Sequence, residues 1–157
     1  MIENYIGIDP GLTGAMAVIS SDGSINVFDA PIGIIGKKNV LLAAFMRYYL
    51  EPYDPDSTKV AIEAVHSMPR QGVTSAFNFG KGFGLWIGIL VGLGFAYTEV
   101  PPQRWKASMM DGMGKDKDAS RVRAMQLFPQ ISNQLNLKKH HGRADALLLT
   151  EYIRIQG

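Results

Sequence analysis

Apolar and polar positions follow two different periods along the chain. Tyr5 to Ile8 form a short apolar run ending in Asp9-Pro10-Gly11, and Ala15 to Ser20 form a second run. Asp22-Gly23 then supplies a hairpin signal ahead of Ile25-Asn26-Val27-Phe28, so the N-terminal segment predicts three antiparallel strands. The period changes after that: Val40, Leu41, Ala44, Phe45, Tyr48 and Tyr49 recur at helical spacing until Pro52 stops the pattern. Lys59-Val60-Ala61-Ile62-Glu63 is short, apolar and preceded by this helical crossover, which predicts a buried parallel strand.

From Thr74 to Gly92 the chain is apolar but studded with Gly80, Gly82, Gly84, Gly88 and Gly92, which predicts a helix packed closely on the sheet or on another helix. Phe95 to Val100 is the fifth strand, stopped by Pro101-Pro102. A short helix over Gln103 to Met109, a Gly/Lys loop from Gly112 to Asp118 that reads as mobile, and a helix from Ala119 to Phe128 follow, the last ended by Pro129. A final helix is expected from about Arg143 to Arg154, with Ala144, Leu147, Leu148 and Tyr152 facing inward. Three strands, helix, strand, helix, strand, helices is the order of an α/β fold with a mixed five-stranded sheet, and 157 residues suit one domain over 1–157.

Composition narrows the chemistry. There is no cysteine, so disulfides and thiolate metal sites are excluded, and a metal would need oxygen or imidazole donors. The absence of disulfides favours a cytoplasmic setting. Met1-Ile2-Glu3-Asn4 does not open an export signal, and the glycine-broken stretch Phe83 to Ala96 is shorter than the roughly 20 residues a membrane helix needs, so no membrane partner is expected. The net charge of +2 hides a local imbalance: between Pro101 and Arg143 nine Lys/Arg stand against three acids. A polyanionic partner and a merely solvated basic surface both fit that excess.

Three acids stand where chemistry is expected. Asp9 ends the first strand and Glu63 ends the parallel one, so neighbouring strands would bring both carboxylates to one edge of the sheet. Such acids repel one another, and a divalent cation relieves the repulsion. Asp145 opens the last helix, where capping is the competing explanation. Hard oxygen donors in this number suit Mg²⁺ or Mn²⁺ and assisted phosphoryl transfer. His140 and His141 are candidates for a further ligand or proton carrier, and His141 lies four residues before Asp145.

With these residues in place the chain resembles a known family. Ile6-Gly7-Ile8-Asp9-Pro10-Gly11, Ala61-Ile62-Glu63, Phe83-Gly84-Leu85-Trp86-Ile87-Gly88, Trp105-Lys106 and the ending from Lys139-His140-His141-Gly142-Arg143-Ala144-Asp145 to Leu148 are similar to the RuvC-type Holliday junction resolvases, above all phage and plant chloroplast members. The resemblance implies an RNase H-like α/β domain, a homodimer, and paired symmetrical nicks across a four-way DNA junction, in recombination and repair. It makes Asp9, Glu63 and Asp145 the catalytic, metal-holding acids, with Mg²⁺ as cofactor and Mn²⁺ able to substitute. Relatives often carry Asp where this chain has His140, which leaves the fourth position to His141 first and His140 second. A bacterial or phage-infected cytoplasm is implied, with an organelle as the alternative.

For DNA contact the candidates are Lys106, Lys115, Lys117, Arg121 and Arg143 at phosphates, and Phe77 and Phe79 at bases, the last two competing with core packing. Trp86, Ile87, Ile89 and Leu90 on the glycine-rich helix are expected at a dimer contact or against the sheet. Three other functions share these features. A broader flap and fork nuclease uses the same site, and a cleavage-deficient junction binder is suggested by His140. An actin-like ATP-binding fold is suggested by the Gly7 to Gly14 loop, although no second phosphate loop accompanies it.

Overall fold

A computed structural model describes residues 1–157. Its main sheet contains β1 (Asn4–Asp9), β2 (Ala15–Ser20), β3 (Ile25–Asp29), β6 (Thr58–Glu63) and β7 (Tyr97–Val100) in the order β3-β2-β1-β6-β7. The first three strands pair antiparallel, while β6 and β7 join parallel to β1. This is the mixed five-stranded sheet read from the sequence.

One prediction fails between β3 and β6. Val40 and Leu41 belong not to a helix but to β5 (Lys38–Leu41), which pairs antiparallel with β4 (Ile32–Ile35) as a separate hairpin, and helix α1 begins only at Ala43 (Ala43–Leu50). The β-branched residues of Ile32-Gly33-Ile34-Ile35 favour extended backbone, and Gly36, at φ 62°, closes the turn before Lys38. A helical spacing of apolar residues was met by chance across the strand and the helix.

Alternation along each strand divides the core in two. Ile6, Ile8, Met16, Val18, Val60 and Ile62 pack with Met46 and Leu50 of α1 and with Trp86 and Leu90 of α2 (Val73–Gly92). Ala15, Ala17, Ile19 and Ala61 face the other way, toward α3 (Pro102–Met109), α4 (Ala119–Leu127) and α5 (His141–Ile155). The result is a sheet with helices on both faces.

Helix α5 is buried nearly all round, not along the single inner stripe expected: Ala146, Leu149, Thr150, Glu151 and Ile153 are buried besides Ala144, Leu147 and Leu148, while Tyr152 is only half-buried. It lies directly on β1. A Cβ placed on Gly7 would stand 2.5 Å from the Ala146 carbonyl oxygen and from Thr150 Oγ1, so only glycine lets the strand and helix backbones approach this far. Thr150 Oγ1 donates to the Ala146 carbonyl at 2.7 Å. This crossing brings the start of α5 over the end of β1. No helix is long and apolar enough to cross a membrane.

Candidate active site at the carboxyl edge of the sheet

Strand parity decides which way the acids point. In β1, Gly7 faces α5 and Ile8 faces α2; in β6, Ala61 faces the α5 side and Ile62 the α2 side. Ile8 is paired with Ile62, so Asp9 and Glu63, one step beyond, end adjacent parallel strands on the α5 face. Asp145, one residue before Ala146, completes the group from above. It is the fifth residue of α5, and His140 occupies the N-cap, so capping does not explain this carboxyl.

Burial raises the proton affinity of all three carboxyls, and the neighbouring acids add to the rise at Asp9 and Glu63. Burial first, then the charges of Glu63 and Asp145, push Asp9 from 3.8 to about 7, against the opposing Gly11 N–H and Lys106. Burial also raises Glu63, opposed chiefly by the Trp105 hydrogen bond, and Asp145 adds to the rise. Asp145 is raised by burial as well, with Ser120, Lys106 and His141 pulling the other way. Asp145 Oδ1 is buried without any hydrogen-bond partner. A buried, unpartnered carboxylate oxygen is costly, and it is the kind of donor a cation would satisfy.

As placed, no three His, Asp or Glu side chains converge closely enough to hold a metal ion. The sequence brought Asp9 and Glu63 to one edge of the sheet with Asp145 as a third acid; the structure gathers all three at one edge and face without closing them into a ligand cluster. Mutual repulsion favours that spacing. Specific partners hold it too: the Trp105 indole N–H donates to Glu63 Oε2 at 2.7 Å, and the Gly11 N–H donates to Asp9 Oδ1 at 3.3 Å. All three acids supply hard oxygen, and the orphan oxygen of Asp145 completes a donor set that fits Mg²⁺ or Mn²⁺ chemically.

Trp105 and Lys106 frame the acids. Trp105 is fully buried, and Lys106 Nζ lies 5.3 Å from its ring centroid. Lys106 draws all three carboxyls toward ionisation, so the structure places it inside the acid cluster as well as on the basic surface. Trp105 as the partner of Glu63, and Ser120 beside Asp145, were missed as functional residues. The Trp105-Lys106 pair was visible only as a motif, because its contact with Glu63 spans 42 positions of sequence.

The two histidines separate. His141 is exposed on the first turn of α5, one turn before Asp145, whose ionisation it favours. His140 is buried, its Nδ1 accepts the Leu137 N–H at 3.2 Å, and burial lowers its pKa. The charges acting on it are Arg143, Lys139, Asp29 and Arg121, and none of the three acids is among them. His140 therefore stays outside the candidate ligand set as a structural cap.

The basic candidates divide similarly. Lys115 and Lys117 are exposed. Arg121 is buried, with its guanidinium on Asp118 Oδ1 at 2.7 Å and on the Leu135 carbonyl at 3.1 Å. Arg143 grips Asp29 with two bonds of 2.7 and 2.8 Å and donates to the Gln134 carbonyl at 2.9 Å. These two arginines tie loops together and leave the candidate DNA interface, because a guanidinium already spent on internal acceptors has few donors left for phosphate.

The aromatics go the other way. Phe77 is 71% exposed and Phe79 36%, so neither serves the core. On the same helix Trp86 and Leu90 are fully buried against the sheet and are removed from the expected dimer contact, whereas Ile87 and Ile89 are half-buried. Gly80, Gly84, Gly88 and Gly92 recur every fourth residue, and each faces open space.

No family model matches the chain. The chloroplastic Holliday junction resolvase MOC1 of Chlamydomonas reinhardtii is 35% identical over 121 residues, 76% of this chain and 14% of that protein. The chain thus spans about one seventh of that relative. Two solved structures share its fold. Thermus thermophilus RuvC in complex with a Holliday junction substrate superposes with a TM-score of 0.62 at 17% identity, over 99% of this chain and 96% of that one. A second structure of Thermus thermophilus RuvC does so with a TM-score of 0.58 at 18% identity, over 98% and 96%.

Proposed function

We propose that this chain, which shares its fold with RuvC and is 35% identical over 121 residues to a chloroplast resolvase, is a structure-selective DNA endonuclease that resolves four-way junctions by paired nicks. One observation carries the reading most: three acids from β1, β6 and α5 end on one face of one sheet edge, all raised in pKa by burial and two of them also by neighbouring acids, with an orphan oxygen on Asp145. That is an arrangement a divalent ion would relieve.

In this proposal Asp9, Glu63 and Asp145 hold Mg²⁺ or Mn²⁺, and His141 is the fourth donor or proton carrier. A divalent ion held by these carboxylates would offer Lewis acidity to a water and offset negative charge at a phosphate. The chain's own residues do the rest. Trp105 orients the Glu63 carboxylate through its N–H, Gly11 does the same for Asp9, and the Lys106 charge opposes the rise in pKa that burial imposes on the acids. Lys115 and Lys117 meet DNA phosphates, and Phe77 and Phe79 are available to bases. The nuclease unit occupies residues 1–157 as one domain.

Two such units are needed for paired cuts, and the open face of α2 supports a homodimer. Its ridge of glycines at every fourth position lets a second helix approach closely, flanked by the exposed Val73 and Val91. The cleavage-deficient reading loses its motive, because the residue that prompted it, His140, lies away from the acids.

The test is a labelled four-way junction, a flap and a linear duplex incubated with the purified protein in Mg²⁺ or in EDTA, with products resolved on a denaturing gel. Symmetrical, metal-dependent nicks on the junction are expected. Flap cutting as well would widen the function to branched DNA, and no metal-dependent product on any substrate would overturn the nuclease reading.

A further inference from the structure

Helix α5 carries Asp145 on its second turn, yet its start lacks the usual supports. His140 occupies the N-cap without a side-chain hydrogen bond to the first turn, and no acid stands in that turn. The Asp145 charge also works against this end of the helix. It raises the proton affinity of both Asp9 and Glu63, so the ionised acids push the start of α5 away from the sheet edge. An uncapped helix end under that load frays unless other contacts hold it.

Two contacts hold it, and both lead back to Asp9. At Gly142 the helix backbone rests on the loop between β1 and β2: an added Cβ would run into the Thr13 carbonyl and stand 2.9 Å from Gly14 Cα. Gly14 in turn is pressed on Asp9, where a Cβ would stand 2.9 Å from Asp9 Oδ1. The second contact is the Arg143 guanidinium, which takes both oxygens of Asp29 at 2.7 and 2.8 Å and the Gln134 carbonyl at 2.9 Å. Asp29 is well placed as an anchor. It pairs with Ala15, and Ala15 pairs with Asp9, so the anchor and the first acid share one row across β3, β2 and β1. A spacing of about 4.8 Å between strands puts them roughly 10 Å apart on that row.

We propose that Arg143, through its fork on Asp29, is a positioning residue for the acid site: it holds the start of α5 on the row of the sheet that carries Asp9 and so fixes how far Asp145 stands from Asp9 and Glu63. Gly142 is the spacer that lets the turn seat. The proposal rests on the reading of these acids as a cation site and adds to it a part that touches neither the ion nor DNA. Arg143 lies two residues from both His141 and Asp145, so release of the fork loosens both at once. Loss of an ordinary surface ion pair costs little, whereas the geometry of this one is handed on to buried carboxyls.

Titration of the full chain with Mn²⁺ in the absence of DNA, with the free ion read by electron paramagnetic resonance, tests this directly. The sign of the effect separates the explanations. Arg143→Gln removes a cation near the acids, which by charge alone would tighten Mn²⁺ binding. Loss of positioning instead weakens it, by about tenfold or more, the usual scale for residues that support metal ligands. Arg143→Lys keeps the charge but cannot reproduce the fork, and should weaken binding as well. Asp29→Asn retains one acceptor oxygen and should fall between wild type and Arg143→Gln, while Asp29→Asn/Arg143→Gln should be no worse than Arg143→Gln alone. Circular dichroism checks each fold, and if the glutamine variant does not fold, Arg143→Lys and Asp29→Asn carry the test. Junction affinity in EDTA should stay unchanged; a fall there would return Arg143 to the DNA interface and overturn the proposal. Unchanged or tighter Mn²⁺ binding by the folded Arg143 variants, even with a lowered Tm, would reduce the fork to a loop tie and leave the cation site standing. Wild-type binding no tighter than that of Asp9→Asn would remove the cation site itself, and the positioning role with it.

Discussion

Replacing Asp9 by Asn should make the metal-free protein more stable while abolishing cleavage. Asn keeps the shape and the acceptor for the Gly11 N–H but removes the charge that Glu63 and Asp145 oppose. Asp9 is raised from 3.8 to about 7 in the folded protein. At about 1.4 kcal/mol per pH unit this corresponds to about 4 kcal/mol of destabilisation once the group is ionised. The sign follows from the raised value. Below pH 3.8 the carboxyl is protonated in both folded and unfolded chains and costs nothing; the penalty grows as pH rises through the interval and is complete above about 7. Because the two neighbouring acids relax when one charge is removed, a gain of about 2–4 kcal/mol is expected at pH 8 in EDTA. For a chain of this size that is a rise in Tm of roughly 5–15 °C. Thermal melts of both proteins at pH 4 and pH 8 are the assay, with the difference vanishing at the lower pH and Mg²⁺ stabilising only the wild type. Equal Tm at pH 8 in EDTA would refute the strained-carboxylate account, whatever happens to cleavage.

Trp105→Phe removes the N–H on Glu63 Oε2 while keeping a buried ring, so Glu63 should become harder to ionise; the pH–rate profile of junction cleavage is expected to move to higher pH, and an unmoved profile would dismiss Trp105 as an orienting residue. His141→Ala should slow cleavage at least tenfold with little change in Tm, whereas His140→Ala should lower Tm, by about 1–2 kcal/mol equivalent for a lost buried cap, and leave the cleavage rate of the folded protein intact. Gly84→Arg/Gly88→Arg projects into open space on one copy and into the partner in a dimer, so sedimentation should show monomers with an unaltered circular dichroism spectrum; a persistent dimer would place the interface elsewhere.

The fold was legible where a single period ran uninterrupted. β1, β2 and β3 announce themselves by short apolar runs and the Asp22-Gly23 turn, and the parallel β6 by its position after a crossover. The β4–β5 hairpin was not legible, since Val40 and Leu41 happen to continue the spacing of Ala44 and Tyr48 and no tight Asn-Gly or Asp-Gly marks its turn. Local pattern loses to pairing there because each strand supplies the other's hydrogen bonds, a relation that a window of sequence does not contain.

The same distinction governs the site. Asp9 and Glu63 could be placed on one edge because adjacent strands and period-two alternation are local rules applied twice. The fates of Arg121, Arg143 and His140 could not, since each is decided by acceptors or burial set by packing: Asp118 and the Leu135 carbonyl for the first, Asp29 across 114 positions for the second, Leu137 and a closed environment for the third. A basic residue reads alike in sequence whether it faces phosphate or binds a loop. What distinguishes them is whether the fold has already supplied a partner. By that criterion Arg121 and Arg143 are withdrawn, while the exposed Lys115 and Lys117, in no ion pair, and the bare rings of Phe77 and Phe79 stay open to DNA.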